Sequence, residues 1–128
     1  MHRRYKDRVQ FLGVYVREAH AADGWWPQNS GVPACEVKQP RTLQERRDVA
    51  AACCEALKMT MPLLVDEIDD RVGHAYSGMP ERLYVIDRSG KVAYKGGRGP
   101  FGFRPREMEQ ALAVLLADEA GAGRRKSR

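Results

Sequence analysis

A glutamate and a histidine two residues apart, Glu18 and His20, are the residues of this sequence best suited to chemistry. They follow an apolar run, residues 11–16, whose β-branched and aromatic content predicts a buried strand. Side chains two apart in an extended chain share a face, and ligands of open α/β sheets bind just outside the carboxyl ends of the strands. A carboxylate beside an imidazole that titrates near neutrality can orient or protonate a substrate group. We therefore interpret Glu18 and His20 as candidate catalytic residues, with a histidine hydrogen-bonded to backbone at a strand end as the alternative for His20.

The elements that must position this pair have a mixed α/β pattern. Residues 24–41 are rich in proline, glycine and tryptophan and predict a long irregular loop after the strand. Thr42 and Glu45 form a capping box, which predicts that a helix begins there and runs to about Lys58. The later predicted elements are a strand at 63–65, a short helix to Tyr76 capped by Asp69 or Asp70, a hairpin over 82–95 and a helix from Pro105.

Composition limits the classes of protein to which the chain can belong. Its 128 residues fit one domain, predicted over residues 1–118, and four basic side chains of the last eight residues account for most of the net charge of +5. We interpret residues 119–128 as a disordered basic tail. No aromatic residue accompanies that tail and no apolar run is long enough to cross a bilayer, so we expect neither a nucleic-acid nor a membrane partner.

The three cysteines, Cys35, Cys53 and Cys54, include no Cys-x-x-Cys pair, and their odd number argues against a secreted disulfide framework. We therefore expect a reducing cytoplasmic location. Cys35 in the loop and the adjacent pair on the helix are redox candidates, with core packing as the alternative for the pair. The histidines have no metal-ligand spacing with these cysteines, so no metal site is expected.

Three sequence blocks resemble one known family, the iodothyronine deiodinases. Residues 14–25, Val-Tyr-Val-Arg-Glu-Ala-His-Ala-Ala-Asp-Gly-Trp, are similar to its Tyr-Ile-Glu-Glu-Ala-His-x-x-Asp-Gly-Trp signature. The blocks Pro-Glu-Arg-Leu-Tyr-Val-Ile at 80–86 and Tyr-Lys-Gly-Gly-Arg-Gly-Pro at 94–100 follow in the same order, so the resemblance covers roughly residues 5–116. It implies a thioredoxin-like fold with a long insertion, here residues 24–41. The implied reaction is reductive dehalogenation of an aromatic substrate by a selenolate or thiolate.

One departure from the family pattern is decisive. The resemblance implies that the nucleophile begins the first helix, after a central first strand, and both positions fall before residue 1. We therefore expect a fold without its first β-strand and most of its first helix, whose neighbouring strand edges stay unpaired or are forced together. A selenocysteine codon read as a stop, with Met1 as the next start, would produce such a chain. The expected product is an inactive fragment without a nucleophile.

The resemblance also gives candidate substrate-binding residues. Trp25 can form the wall of an aromatic site, with folding onto the core as the alternative. Arg82 can bind a carboxylate or phenolate, with a plain charge at a strand start as the alternative. Pro80 precedes the hairpin at the place where thioredoxin-like folds keep a cis-proline beside the redox centre, so a cis Met79–Pro80 bond is expected. Asp66 is interpreted as a turn residue at a strand end.

The partners implied by the resemblance are small. They are an aromatic, halogenated substrate and a thiol reductant or thioredoxin-like donor as co-substrate, with no bound cofactor. A homodimer is a further expectation. Two alternatives remain open: a peroxiredoxin-like or thiol-disulfide reductase, and a non-catalytic thioredoxin-like interaction module.

Overall fold

The computed structural model describes residues 1–24 and 37–126 of the chain, with side chains described as far as residue 122. They form two compact units, Met1–Met79 and Pro80–Arg128, where the sequence predicted one domain over 1–118. Helices and strands alternate along the chain, which confirms the mixed α/β class. Two candidate site residues, Trp25 and Cys35, lie outside the described residues.

A parallel strand pair is the centre of the first unit. In chain order this unit contains α1 (His2–Tyr5), β1 (Gly13–Tyr15), α2 (Leu43–Ala56), β2 (Leu63–Val65) and α3 (Arg71–Tyr76). Gly13 pairs with Leu63 and Tyr15 with Val65. Parallel strands need a crossover connection, and α2 lies between β1 and β2 in the chain, which gives a β-α-β unit. The carboxyl ends of both strands therefore meet at one edge, which is also where α2 begins.

The start of α2 confirms the capping box. Thr42 Oγ1 accepts the Glu45 backbone N–H at 3.2 Å, and Glu45 Oε2 accepts the N–H of Thr42 at 3.2 Å and of Arg41 at 2.7 Å. Two side chains thereby pair amides that the helix leaves without partners. The helix ends at Ala56, two residues before the expected limit.

The sheet of the first unit buries one face more than the other. Tyr15, Leu63 and Val65 are half-buried, while Val14 is 40% and Leu64 is 49% exposed. This alternation is the two-residue period of a strand. The ladder holds only three residues of β1, whereas the sequence predicted an apolar strand over residues 11–16.

The second unit is a hairpin covered by a helix, as expected. It consists of β3 (Tyr84–Ile86), β4 (Val92–Lys95) and α4 (Pro105–Lys126), and β3 pairs antiparallel with β4. The Asp87 carboxylate accepts the N–H groups of Ser89 and Lys91 and so fixes the turn. Buried residues of α4 and β3 form the small core of this unit: Val85, Leu112 and Leu116.

Two expectations about the second unit are wrong. Residues 119–126, interpreted as disordered tail, continue α4, because their alanine, glutamate and arginine content favours helix and no proline interrupts it. Glu119 also pairs with Arg88 at 3.0 Å. The cis X-Pro bond of the described residues is Gly99–Pro100, so Met79–Pro80 is trans, the form that most X-Pro bonds prefer.

The strands of the described residues form two separate two-stranded sheets. One contains β1 and β2 and the other contains β3 and β4. Within the described ranges, β1 therefore has one edge without a strand partner, and so does β3. The expectation that a central first strand is missing from this fold stays a prediction.

Candidate functional site

Glu18 and His20 lie just past the carboxyl end of β1, in an irregular segment rather than on the strand itself. Both residues are half-buried. They are close enough that the charge of His20 lowers the pKa of the Glu18 carboxyl. The structure therefore brings together the two candidate catalytic residues. Their proximity does not depend on a shared strand face, since β1 ends at Tyr15.

Gln39 binds the backbone of Glu18. No sequence pattern indicated this residue. The Glu18 N–H donates to Gln39 Oε1 at 2.9 Å, and Gln39 Nε2 donates to the Glu18 carbonyl at 3.1 Å. The Gln39 backbone N–H donates to Asp23 Oδ1 at 2.8 Å. These three hydrogen bonds are called the Gln39 clasp below. The clasp fixes residues 37–40 against the segment that carries Glu18 and His20.

Burial is the main influence on the Glu18 carboxyl. It raises the pKa of Glu18, because the charged form loses hydration. The charges of His20 and Arg46 oppose this shift without cancelling it. A half-buried carboxyl with a raised pKa next to a histidine is a candidate functional site, because such shifts cluster at functional sites.

Arg46, on the first turns of α2, is the largest fully buried side chain of the described residues, with 2% exposure. Its guanidinium Nη1 pairs with Asp70 Oδ1 at 2.9 Å and donates to the Glu67 carbonyl at 2.6 Å. It donates more weakly to the Asp66 carbonyl at 3.4 Å. Arg46 therefore ties the start of α2 to the chain that follows β2. Its charge acts on Glu18 and on Asp66.

Asp66 ends β2 and organises the turn that follows. It is 2% exposed, and its two carboxylate oxygens accept three backbone N–H groups, from Glu67 at 2.9 Å, Val72 at 3.0 Å and Gly73 at 2.8 Å. Burial would raise the pKa of Asp66, but these hydrogen bonds and Arg46 outweigh burial and lower it. Asp66 is thus the anchor of α3 and not a plain turn residue.

The expected caps of α3 are wrong in detail. Asp70 occupies the N-cap position, but its side chain caps no amide, and its backbone is left-handed with φ +54°. Asp69 pairs with Arg71 at the surface. The amides of α3 are instead taken by Asp66, which lies earlier in the chain.

The two described cysteines lie away from the Glu18–His20 pair. Cys53 and Cys54 are half-buried on α2, and Cys53 follows Arg46 by seven residues. At 1.5 Å per residue this places Cys53 roughly 10 Å further along the helix axis. Met59, three residues after the end of α2, lies near Gly13 at the amino end of β1, since a Cβ added to Gly13 would lie 3.4 Å from Met59 Cε. The structure does not bring these thiols to the carboxyl ends, where Glu18 lies.

Pro80 and Arg82 belong to the second unit, so the structure describes them apart from Glu18 and His20. Arg82 Nε donates to the Gly96 carbonyl at 2.8 Å, and the Gly96 N–H donates to the Leu83 carbonyl at 2.8 Å. Arg82 therefore fixes the glycine-rich segment after β4 against the start of the hairpin. Its proposed role toward a substrate remains a prediction.

An open cleft of about 450 Å³ borders the Gln39 clasp. Its charged lining residues include Asp23 and Glu45, whose carboxylates already accept backbone N–H groups. Val37, Pro40 and Val49 supply its apolar part.

Within residues 1–24 and 37–126, no group of three or more potential metal ligands comes together. The absence of a metal site stays a prediction. No helix in the described part of the chain is both long enough and apolar enough to cross a bilayer.

Comparison with known proteins gives one consistent result. A model of the iodothyronine deiodinase family matches residues 1–115. A type I iodothyronine deiodinase of Xenopus laevis is 37% identical over 104 residues, which are 81% of this chain and 39% of that protein. A thyroxine 5-deiodinase of Gallus gallus is 38% identical over 108 residues, 84% of this chain and 40% of that protein. The chain therefore spans about two fifths of the length of these curated relatives.

Proposed function

Because the chain belongs to the iodothyronine deiodinase family, we propose that it serves a deiodinase-like reaction, the reductive removal of a halogen from an aromatic ring. The observation that carries this proposal is the Glu18–His20 pair. The segment most similar to the family signature is the one whose backbone the Gln39 clasp holds, with a raised pKa on Glu18. A surface segment without a role would not require this arrangement.

The proposed reaction balances as two half-reactions. A selenolate or thiolate attacks the halogen, the carbon–halogen bond breaks, and the ring carbon takes a proton. The selenenyl or sulfenyl halide is then reduced by two thiols of a reductant, which regenerate the selenolate or thiolate and leave as a disulfide, with the release of halide and two protons. His20 protonates or orients the phenolic or ring group, since an imidazole can exchange protons near neutral pH. Glu18 orients that imidazole and balances its charge.

We further propose that neither Cys53 nor Cys54 is the nucleophile. Their position on α2, roughly two turns from Arg46, supports this, because Arg46 marks the end of the helix that faces Glu18. Because the family resemblance places the nucleophile at the start of a first helix and not at Cys35, Cys53 or Cys54, we expect residues 1–128 alone to show no turnover. A thioredoxin-like framework accounts for the order β1–α2–β2, hairpin and closing helix.

The experiment compares two proteins. The first is residues 1–128, assayed with an iodinated phenol and dithiothreitol, for which we expect iodide release no higher than for its His20→Ala variant. The second is the gene's open reading frame extended upstream of Met1 through any in-frame UGA or cysteine codon. For that protein we expect thiol-dependent iodide release, which His20→Ala lowers by about 10²-fold or more.

Three results would contradict the proposal. Iodide release by residues 1–128 above the His20→Ala control would show that the nucleophile lies within them. Peroxide consumption by the extended protein without dehalogenation would favour a peroxiredoxin-like enzyme. An upstream sequence with neither a UGA nor a cysteine codon in frame would favour a non-catalytic interaction module.

A further inference from the structure

We propose that Gln39 is a positioning residue for the Glu18–His20 pair: its side-chain amide fixes the Glu18 backbone and so directs both side chains. This role deepens the function proposed above and rests on it. It concerns a residue in a proline-containing segment that shares no element with the pair.

The geometry of the amide supports positioning over simple loop closure. One side chain satisfies both the N–H and the C=O of a single residue, Glu18, at 2.9 and 3.1 Å. Two hydrogen bonds to the same residue fix its backbone orientation as well as its location. A loop anchor needs only one such contact, and the Ala22 N–H donating to the Val37 carbonyl at 2.9 Å already supplies one.

The amide is itself held in place. The Gln39 N–H donates to Asp23 Oδ1, and this hydrogen bond is the largest influence that lowers the pKa of Asp23. Pro40, the next residue, is buried. Gln39 therefore has a fixed backbone from which its side chain reaches Glu18. A group that acts through another residue in this way needs a rigid support.

The charged groups that act on the Glu18 carboxyl are His20, in the same segment, and Arg46, from α2. Gln39 is neutral and so contributes through placement rather than charge. If the clasp keeps Glu18 half-buried, then opening it exposes the carboxyl to water. The pKa of Glu18, which burial raises, then falls toward its ordinary value.

The experiment uses isotopically labelled residues 1–128 and nuclear magnetic resonance. Gln39→Met removes both contacts, and Gln44→Met is the matched control, since Gln44 Nε2 donates to Asp48 Oδ1 at the surface of α2. In Gln39→Met we expect exchange of the Glu18 amide hydrogen to be roughly tenfold faster, the size of effect that one lost hydrogen bond gives. The Glu18 carboxyl should titrate at lower pH. The Val72 amide, held by Asp66, should exchange at the rate of the wild-type chain.

A second variant keeps the proposal testable if Gln39→Met does not fold. Gln39→Glu retains an oxygen for the Glu18 N–H, loses the donor to the Glu18 carbonyl and places a carboxylate near Glu18. We expect the Glu18 amide to stay more protected than in Gln39→Met, because an oxygen still accepts its hydrogen, and the Glu18 carboxyl to titrate at higher pH, because a like charge disfavours ionisation. The two variants thus shift one titration in opposite directions, which a loss of general stability would not do.

Two equalities between Gln39→Met and its control Gln44→Met would overturn the proposal. They are the same titration midpoint for the Glu18 carboxyl and the same exchange rate for the Glu18 amide. The proposal is overturned equally if Gln39→Glu leaves the titration of Glu18 unchanged. Neither measurement needs turnover. Failure of this inference is therefore distinct from failure of the deiodinase-like activity.

Discussion

Glu18 and Asp66 follow the two parallel strands of one small sheet, yet their surroundings shift their pKa values in opposite directions. Asp66 is buried, but three backbone N–H groups satisfy its charge. Glu18 is half-buried, and the clasp satisfies its backbone while no hydrogen bond from the described residues offsets the burial of its carboxyl. One acid is committed to the fold. The other is held in position by its backbone, and burial raises the pKa of its carboxyl.

The difference shows how one edge of a sheet can combine stability with reactivity. Local amides use up the bonding capacity of the Asp66 carboxylate, so it has little left for a ligand. Arg46 lies near both acids and donates to the chain beyond β2, so its charge favours ionisation at both positions. What distinguishes the acids is therefore the supply of hydrogen-bond donors, and not the nearest cation.

Loss of Arg46 is expected to have the largest effect. Arg46→Met leaves Asp70 without its buried partner, which lowers the free energy of unfolding by about 3–5 kcal/mol. Urea denaturation followed by circular dichroism measures this. The control is Arg71→Met, which removes an ion pair whose side chains are 74% and 59% exposed and should cost less than about 1 kcal/mol. An equal decrease in the free energy of unfolding for the two variants would mean that Arg46 does not stabilise the carboxyl ends of β1 and β2.

The next largest effect is expected for Asp66→Asn. The asparagine keeps one acceptor oxygen, but its N–H₂ group then faces a backbone N–H, and two donors cannot pair. We expect this to lower the free energy of unfolding by about 1–3 kcal/mol at pH 7. Folding lowers the pKa of Asp66, so its ionised carboxylate stabilises the folded chain. This contribution to the free energy of unfolding is fully present above the ordinary aspartate pKa of about 3.9, and it is lost as the pH falls through the lower pKa of the folded state. Denaturation at several pH values should therefore show the two proteins converging in acid. Asp69→Asn, at the surface, serves as the control.

Glu18→Gln is expected to have a smaller effect of opposite sign. Folding raises the pKa of Glu18, so the protonated carboxyl is favoured in the folded chain. Its contribution to the free energy of unfolding is fully present below about pH 4.3, and it is lost as the pH rises through the pKa of the folded state. At pH 7 the variant should be more stable than the parent chain by less than about 0.5 kcal/mol, and at acid pH the two should coincide. Thermal melts at both pH values measure this. If Glu18→Gln were less stable than the parent chain at pH 7, the ionised Glu18 carboxylate would stabilise the fold, as Asp66 does.

Local signals in the sequence predicted a large part of the fold. The Thr42–Glu45 capping box, the turn at Asp87 and the proline at the start of α4 each depend on residues a few positions apart, and each is present in the structure. The bounds of β2 were predicted correctly, whereas the length of β1 was overestimated, because an apolar run does not show how many residues a partner strand will pair. Residue type, spacing and the family signature together singled out Glu18 and His20, and their catalytic role stays a prediction.

The residues that support the site could not be predicted in the same way. Gln39 is a single glutamine in a loop, and its contact with Glu18 spans 21 residues, so no spacing rule indicates it. Asp66 accepts amides six and seven residues later in the chain, and the backbone of Asp70 between them is left-handed. Such conformations are uncommon outside glycine, and the sequence gives no sign of this one.

The two-stranded sheets also differ in how far apart along the chain their strands lie. The hairpin closes across one short turn, an event of about 1–10 μs in isolation. Roughly fifty residues separate β1 from β2, so their pairing must first overcome the entropy of closing a long loop. We therefore expect the hairpin to form before β1 pairs with β2. The sheet edge that Glu18 and Asp66 share would then be completed after the hairpin.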